Sequence, residues 1–226
     1  MNWEDECFLL AKRKFRENAN IINVFSQDKG KVSGIVYGGN SRKIRNYLQI
    51  SNKLFIVHNS KNENKIGYFK TELLKPISPL YFNDKKRTSA LISLCSILNI
   101  LLPESQPYKN LYNSFEKFVS SINFENWIIL FIFFELNLIK DLGYDPNLDK
   151  FKKENYDVSK TLKIKIDNTF YEVPNFLILK KLPEKISNSL VKKSLYFTRN
   201  IIQNRFFIPN NLQFPKSRVI LENYFN

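Results

Sequence analysis

Five strand-like runs in the first 78 residues constrain the fold most strongly. The runs are short, alternate in polarity, and are separated by turn-forming residues such as Asp28 and Gly30. Short consecutive strands of this kind are typical of a small closed β-barrel. The predicted strands cover residues 6–15, 19–26, 31–37, 54–58 and 66–74.

The spacing of these runs leaves two barrel types open. A five-stranded OB-fold fits, and an SH3-like barrel fits nearly as well on spacing alone. Gly34 and Gly67, inside two predicted strands, suit the bends that barrel closure requires. An OB-fold binds oligonucleotides on its second and third strands and on the adjoining loops, so the choice bears on function.

The third predicted strand has one face of unusual composition. Side chains alternate along a strand, so Lys31, Ser33, Ile35 and Tyr37 share one side. A cation, a hydroxyl and an aromatic ring together favour a wet binding surface over a buried core. Lys31 and Tyr37 are therefore predicted to contact a ligand, with Tyr37 stacking on a base.

A glycine pair and a basic segment follow this strand. Gly38-Gly39 permits a sharp turn, and Arg42, Lys43 and Arg45 then place three cations within four positions. We predict a basic loop here, because the planar fork of a guanidinium group suits a phosphate. A merely solvated charged loop is the alternative.

A second basic segment, residues 12–16, precedes the loop between the first two predicted strands. In an OB-fold that loop borders the binding groove, although solvated charge explains these residues equally well. Tyr47 is a further candidate for base stacking, but ordinary barrel packing suits it better. The predicted DNA-binding residues are Arg42, Lys43, Arg45, Lys31, Tyr37, Arg13 and Arg16.

The net charge of +14 points to an acidic partner, and half of it falls within residues 1–78. The N-terminus is acidic and lacks the apolar core of a signal peptide, so none is expected. The most apolar run, residues 127–139, contains Glu135 and Asn137 and is shorter than the roughly 20 apolar residues of a membrane span. It predicts a buried helix with Trp127 in the core and Glu135 in a structural hydrogen bond or ion pair.

The residue inventory argues against catalysis. His58 is the only histidine, and Cys7 and Cys95 are the only cysteines, too few for a structural zinc site. No Walker lysine, Gly-x-Ser-x-Gly turn or metal-binding pair of acids stands out. We therefore expect no enzyme, no cofactor and a reducing cytoplasmic setting. Trp3 is predicted to anchor the first strand, and His58 to lie at a strand end.

Residues 79–226 are predicted to be mostly α-helical. Helices are indicated around residues 91–102, 108–121, 126–142, 176–182 and 186–206. Between them, the alternation around Ile164 and the turn-forming pair Asp167-Asn168 predict a small hairpin within residues 149–173. The last twenty residues, with Pro209 and Pro215, are predicted to form a loosely packed tail. Charged segments at residues 84–87 and 192–199 are candidate basic patches, interpreted as solvated faces unless they align with the barrel.

The order of several short motifs resembles the bacterial RecO family. Gly34-x-x-x-Gly38-Gly39-x-Ser41-Arg42 and Leu48-Gln49 resemble its first domain. Segments with similar placement are Trp3, Asp5-Glu6, Arg13, Glu17, Gly67, Thr71-Glu72, Leu101-Leu102-Pro103-Glu104, Leu111-Tyr112, Phe134-Glu135-Leu136 and Leu142-Gly143-Tyr144. The resemblance is dense over residues 1–150 and thin afterwards.

The resemblance implies an OB-fold over residues 1–78 and a helical domain over residues 79–226, in an α+β protein. It also implies a recombination mediator that binds single-stranded DNA, with duplex DNA as a further candidate ligand, and anneals strands coated by single-strand-binding protein. The implied partners are RecR, often RecF, the tail of single-strand-binding protein, and RecA, which the family helps to load. Many members carry a zinc module near residue 151, but here Phe151 and Lys152 stand where a first cysteine is expected, so no zinc is predicted. An RNA-binding or ribosome-associated OB-fold module and a degenerate metal-dependent nuclease are the alternatives.

Overall fold

The computed structural model describes residues 2–39, 41–60, 66–153 and 155–225. Within them, the strands are β1 (Asn2–Arg16), β2 (Ala19–Ser26), β3 (Gly30–Tyr37), β4 (Lys53–Asn59), β5 (Gly67–Lys75), β6 (Thr161–Ile166) and β7 (Thr169–Pro174). The α-helices are α1 (Arg42–Tyr47), α2 (Lys85–Leu101), α3 (Lys109–Ser121), α4 (Trp127–Asp141), α5 (Asn175–Leu179), α6 (Asn188–Ile202) and α7 (Lys216–Asn223).

Strands β1 to β5 close into a barrel in the order β1-β2-β3-β5-β4. The long strand β1 joins two neighbours, since its first half pairs with β4 and its second half pairs with β2, both antiparallel. Strands β3 and β5 close the barrel in parallel. This arrangement confirms the predicted five-stranded OB-fold followed by a helical region, and it decides against the SH3-like alternative.

The barrel interior is filled by apolar side chains from every strand. Leu9, Ile22, Val36, Leu54 and Phe69 belong to one buried cluster. The ring of Trp3 stacks on His58 at 4.8 Å between ring centroids and meets Phe69 edge-on at 6.1 Å. Trp3 therefore anchors the start of β1 against β4, as predicted, and His58 lies one residue before the end of β4.

The contacts between residues divide the chain into two compact units. The first unit contains residues 1–119 and 215–218, and the second contains residues 120–214 and 219–226. In the first unit, Asp84 caps α2 by accepting a hydrogen bond from the Arg87 backbone N–H at 3.0 Å, and α3 buries Tyr112 and Phe115 against Phe8 of the barrel. The predicted domain limit after residue 78 stays a prediction.

The second unit is built around α4 and α6. Trp127 and Glu135 of α4 are both buried, at 5% and 0% exposure. The Thr198 hydroxyl of α6 donates a hydrogen bond to the Glu135 carboxylate at 2.5 Å. Glu135 therefore takes part in a buried structural hydrogen bond, the role predicted for it.

The predicted hairpin is present as β6 and β7. Its turn residues Asp167 and Asn168 both have positive φ, 45° and 67°, which is the signature of the two-residue hairpin turn that matches strand twist. Ile164, Ile166, Tyr171 and Val173 are buried on one side of the hairpin.

The prediction of a loosely packed C-terminal tail is wrong. Residues 216–223 form α7, and Leu221 and Phe225 are buried at 0% and 7% exposure. Pro215, part of the predicted tail, lies directly before the first residue of α7, and its carbonyl accepts the Arg218 N–H at 3.1 Å. Proline is well tolerated at a helix start, where its missing N–H has no partner to lose.

In the part of the chain that the structure describes, no helix is both long and apolar enough to span a membrane.

Candidate nucleic-acid interface

The two basic segments of the sequence meet at one end of the barrel. The β1–β2 turn contacts the start of the glycine pair, because the Gly38 N–H donates to the Asn18 carbonyl at 2.7 Å. The strand register places Arg16 opposite Ala19, and Ala19 opposite Tyr37. Arg16 and Tyr37 therefore lie near the same barrel end as the segment that follows Gly38.

Residues 42–47 form helix α1 rather than the predicted basic loop. The Ser41 hydroxyl caps it by accepting the Ile44 N–H at 3.4 Å. Arg42 and Arg45 lie three residues apart, so they share one face of the helix, whereas Ile44 packs against the barrel core. The sequence analysis missed this helix because it has only six residues and is held in place by packing of Ile44, Tyr47 and Leu48 against the barrel core.

The cations of α1 are exposed to solvent. Within the described residues, Arg42, Lys43 and Arg45 form no ion pair, and neither do Arg13 and Arg16. Self-repelling cations of this kind are stabilised by an anion from outside the chain.

Lys12 links the two basic segments. Its Nζ donates to the Leu48 carbonyl, just beyond α1, at 2.6 Å. Burial of the ammonium group lowers the pKa of Lys12, and the positive charge of Arg45 lowers it further. Lys12 and Arg45 therefore lie close enough to repel each other, which concentrates positive charge at this end of the barrel.

The outer face of the barrel beside this end carries two exposed tyrosine rings. The strand register gives one row across four strands: Arg13 of β1, Ile21 of β2, Ile35 of β3 and Tyr68 of β5. Tyr37 and Tyr68 are 58% and 41% exposed, and their ring centroids are 6.3 Å apart. Exposed rings of this kind can stack on unpaired bases regardless of sequence.

Tyr68 was missed by the sequence analysis. Its neighbour Tyr37 lies about thirty positions earlier in the chain, and only the parallel pairing of β3 with β5 brings the two together. No local pattern reveals that pairing. Tyr47, the other tyrosine considered, has a packing role, because its hydroxyl donates to the Thr71 carbonyl at 2.7 Å.

Two models of one family match the chain in sequence. The model described as Recombination protein O N terminal matches residues 1–77, and the model described as Recombination protein O C terminal matches residues 83–152. The chain belongs to the RecO family. All seven predicted DNA-binding residues lie within the match to the N-terminal model, whereas β6, β7 and the helices after them lie outside both RecO models.

Curated relatives agree with this assignment. The DNA repair protein RecO of Ruegeria sp. (strain TM1040) is 31% identical over 149 residues, and that of Wolbachia sp. (strain wRi) is 32% identical over 152 residues. The chain spans 62% of the length of each of these two relatives in those matches, which cover 66% of this chain. The DNA repair protein RecO of Ehrlichia chaffeensis is 27% identical over 235 residues, covering 96% of both chains.

The expectation of a wet surface is wrong for Lys31 in this RecO chain. Lys31 is 8% exposed, and its Nζ donates to the Asn99 carbonyl at 2.9 Å and lies 3.6 Å from the Glu104 carboxylate. Ser33 also contacts Glu104, at 3.2 Å. The end of α2 and the segment after it thus cover the first half of β3, which strand alternation cannot reveal.

One cation of residues 84–87 and two cations of residues 192–199 pair with acids within the molecule. Arg87 pairs with Asp84 at 2.6 Å, Lys193 with Glu172 at 3.1 Å, and Arg199 with Glu222 at 3.1 Å. They therefore differ from α1, whose cations have no such neighbours in the described chain.

The described part of the chain contains no group of three or more His, Cys, Asp or Glu side chains placed to hold a metal ion. Burial raises the pKa of the Cys95 thiol to about 12, and burial also raises the pKa of Cys7. A buried thiol of raised pKa is a poor metal ligand, because the thiolate is the binding form. The hairpin segment has no cysteine, so its residues do not fit a zinc ion.

Proposed function

We propose that the protein binds single-stranded DNA at this end of the barrel and acts as a mediator of recombinational repair. The observation that carries the proposal is that two basic segments, which form no ion pair with any described residue, meet beside two exposed tyrosines. Membership of the RecO family and relatives named DNA repair protein RecO support it. Duplex DNA is a second, weaker ligand in this proposal, because its bases are not free to stack.

The proposed mechanism needs no bond chemistry. Arg42, Lys43 and Arg45, with Arg13 and Arg16, neutralise phosphates, while Tyr37 and Tyr68 hold bases by stacking. Bringing two neutralised strands together raises their local concentration, and base pairing then supplies the driving energy for annealing. The protein is accordingly proposed to be a non-enzymatic cytoplasmic factor that uses no cofactor.

The partners belong to the same proposal. The family resemblance favours RecR, RecF and RecA as functional partners, with DNA coated by single-strand-binding protein as the working substrate. The acidic tail of single-strand-binding protein is the proposed recruiting contact, and a basic protein suits such a tail.

Strand annealing across a salt series tests the barrel site. We expect wild-type protein to anneal complementary strands coated by single-strand-binding protein without nucleotide. Arg42→Ala/Arg45→Ala should weaken binding and flatten the plot of log affinity against log salt by about 1.4, which is about 0.7 for each lost phosphate contact on a single strand. Tyr37→Ala/Tyr68→Ala should weaken binding about tenfold and leave the salt slope unchanged.

The matched control is Lys181→Ala/Lys185→Ala, which removes two exposed cations from the second unit and should bind like wild type. Circular dichroism checks that every variant is folded. Annealing by the arginine variant at wild-type strength would reject the site but keep the function. If the wild type binds no DNA and an RNA competitor binds, the RNA-binding alternative replaces this proposal.

A further inference from the structure

A second basic and aromatic surface lies in the second unit, between β7 and α6. Phe170 and Tyr196 are 62% and 53% exposed there, on the rim of a groove of about 610 Å³. We call this surface the hairpin groove. It is lined by residues that include Phe170, Glu172, Lys192, Lys193, Tyr196 and Asn200.

Each exposed ring of the hairpin groove is accompanied by cations. The Nζ atoms of Lys163 and Lys165 lie 5.2 and 6.0 Å from the centroid of the Phe170 ring. The guanidinium carbon of Arg199 lies 5.0 Å from the centroid of the Tyr196 ring. Each of the two exposed rings thus has at least one cation within 6.0 Å of its centroid.

Acidic side chains neutralise only part of this charge. Glu172 pairs with Lys193, and Glu222 pairs with Arg199. Lys163, Lys165 and Lys192 form no ion pair with any residue that the structure describes. The two pairs hold their cations in place, and the remaining lysines leave the groove positive.

The floor of the groove is fixed by packing. The rings of Tyr171 and Phe197 meet edge-on at 5.7 Å between centroids and are 8% and 1% exposed. The exposed rings above are therefore carried by two regular elements, β7 and α6, whose buried faces are locked together.

We propose that the hairpin groove is a second binding site for single-stranded nucleic acid, separate from the barrel site. A single strand presents flat bases and anionic phosphates, and the groove presents exposed rings with cations beside them. An acidic peptide would use the lysines but would leave two exposed ring faces without flat partners. A molecule with one strand site in each unit holds two strands at once, which annealing requires.

Photo-crosslinking tests the location directly. The probe is a 20-nucleotide oligodeoxythymidylate with 5-iododeoxyuridine at alternate positions, and crosslinked peptides are identified by mass spectrometry. We expect crosslinks at Phe170 or Tyr196 in the wild type and also in Arg42→Ala/Arg45→Ala. Crosslinks in the barrel but not in the groove would overturn the groove proposal and leave the barrel proposal intact. Crosslinks in the groove but not in the barrel would overturn the barrel proposal and leave the groove proposal intact.

Binding measurements then assign the contribution of the rings. In the Arg42→Ala/Arg45→Ala background, Phe170→Ala/Tyr196→Ala should weaken binding of the same oligonucleotide about tenfold. Phe170→Tyr/Tyr196→Phe keeps both rings and should restore it, and Phe124→Ala, at a 61% exposed aromatic residue of the same unit, should change nothing. Equal binding by the alanine and ring-keeping variants would overturn the proposal. So would displacement of the groove crosslinks by an acidic peptide ending in an aromatic residue, since that result would assign the groove to a protein tail.

Discussion

The outer face of β3 has two halves that differ sharply. In the covered half, Lys31 and Ser33 are held by Asn99 and Glu104, from the end of α2 and the segment after it. In the open half, Tyr37 is exposed beside Tyr68 and close to the cations of β1 and α1. Both halves have the composition of a wet face in the sequence. Strand alternation therefore tells which side chains share a face, but not what covers them.

The largest expected contrast concerns the two ends of β3. Gly30 and Gly38 have almost the same φ, 69° and 70°, which disfavours any other residue. A Cβ at Gly30 would lie 1.9 Å from the Gln106 carbonyl oxygen, whereas the nearest atom to a Cβ at Gly38 is Ile44 Cδ1 at 3.6 Å. Gly30→Ala should cost about 3 kcal/mol of unfolding free energy, from strain plus overpacking, and Gly38→Ala about 1 kcal/mol.

Urea denaturation of the two variants measures this difference. Both substitutions add the same methyl group at almost the same φ, so each is the control for the other. Equal losses of stability would mean that the backbone around Gln106 moves away from residue 30 at little cost, so that the cover over this half of β3 is not rigid.

The next contrast is between a substitution expected to lower stability and one expected to lower DNA affinity. Lys31→Met removes a buried charged hydrogen bond and should lower the unfolding free energy by about 1 to 2 kcal/mol without changing DNA affinity. Arg45→Met should do the reverse, weakening affinity about fourfold at 0.1 M salt and leaving stability nearly unchanged. Thermal unfolding and fluorescence anisotropy on a single strand give the two readouts. Weaker DNA binding by Lys31→Met at unchanged stability would show that the covered half opens to ligand.

The smallest expected effect is on the protonation of Lys12. Arg45→Ala removes a nearby positive charge, so the pKa of Lys12 should rise, while burial keeps it below its ordinary value of 10.5. Because the unfolded chain binds this proton more tightly, Lys12 adds to stability as the pH rises through its folded pKa toward 10.5. Titration of the ¹³Cε resonance of Lys12 in both proteins measures the shift. An unchanged pKa would place Arg45 too far away to act on Lys12.

Much of the fold follows from local sequence patterns. The five barrel strands and the hairpin at Asp167-Asn168 carry their own turn residues, and the helices carry apolar spacing. What the patterns could not give are features fixed by distant partners. The first residues of β1 form strand because β4, about fifty residues later, pairs with them. Likewise, α7 forms a helix although Pro209 and Pro215 precede it.

The candidate site divides in the same way. The basic character of residues 12–16 and 42–45 and the exposed ring of Tyr37 are visible in the sequence. The burial of Lys31 and the contribution of Tyr68 depend on which elements lie over β3 and which strand pairs beside it. Both facts belong to the tertiary structure, so no single-sequence pattern contains them.

The join between β3 and β5 has a consequence for slow motions of the barrel. It consists of two residue pairs, Gly34 with Gly67 and Ile35 with Tyr68, whereas β2 and β3 share eight. Hydrogen exchange reports the local opening of such a short strand pairing. The amides where β3 pairs with β5 should therefore exchange before those of β2. A DNA strand stacked on Tyr37 and Tyr68 would contact β3 and β5 at the same time. DNA binding would then hold the two β-strands together, and slower hydrogen exchange at the Tyr68 amide would show it.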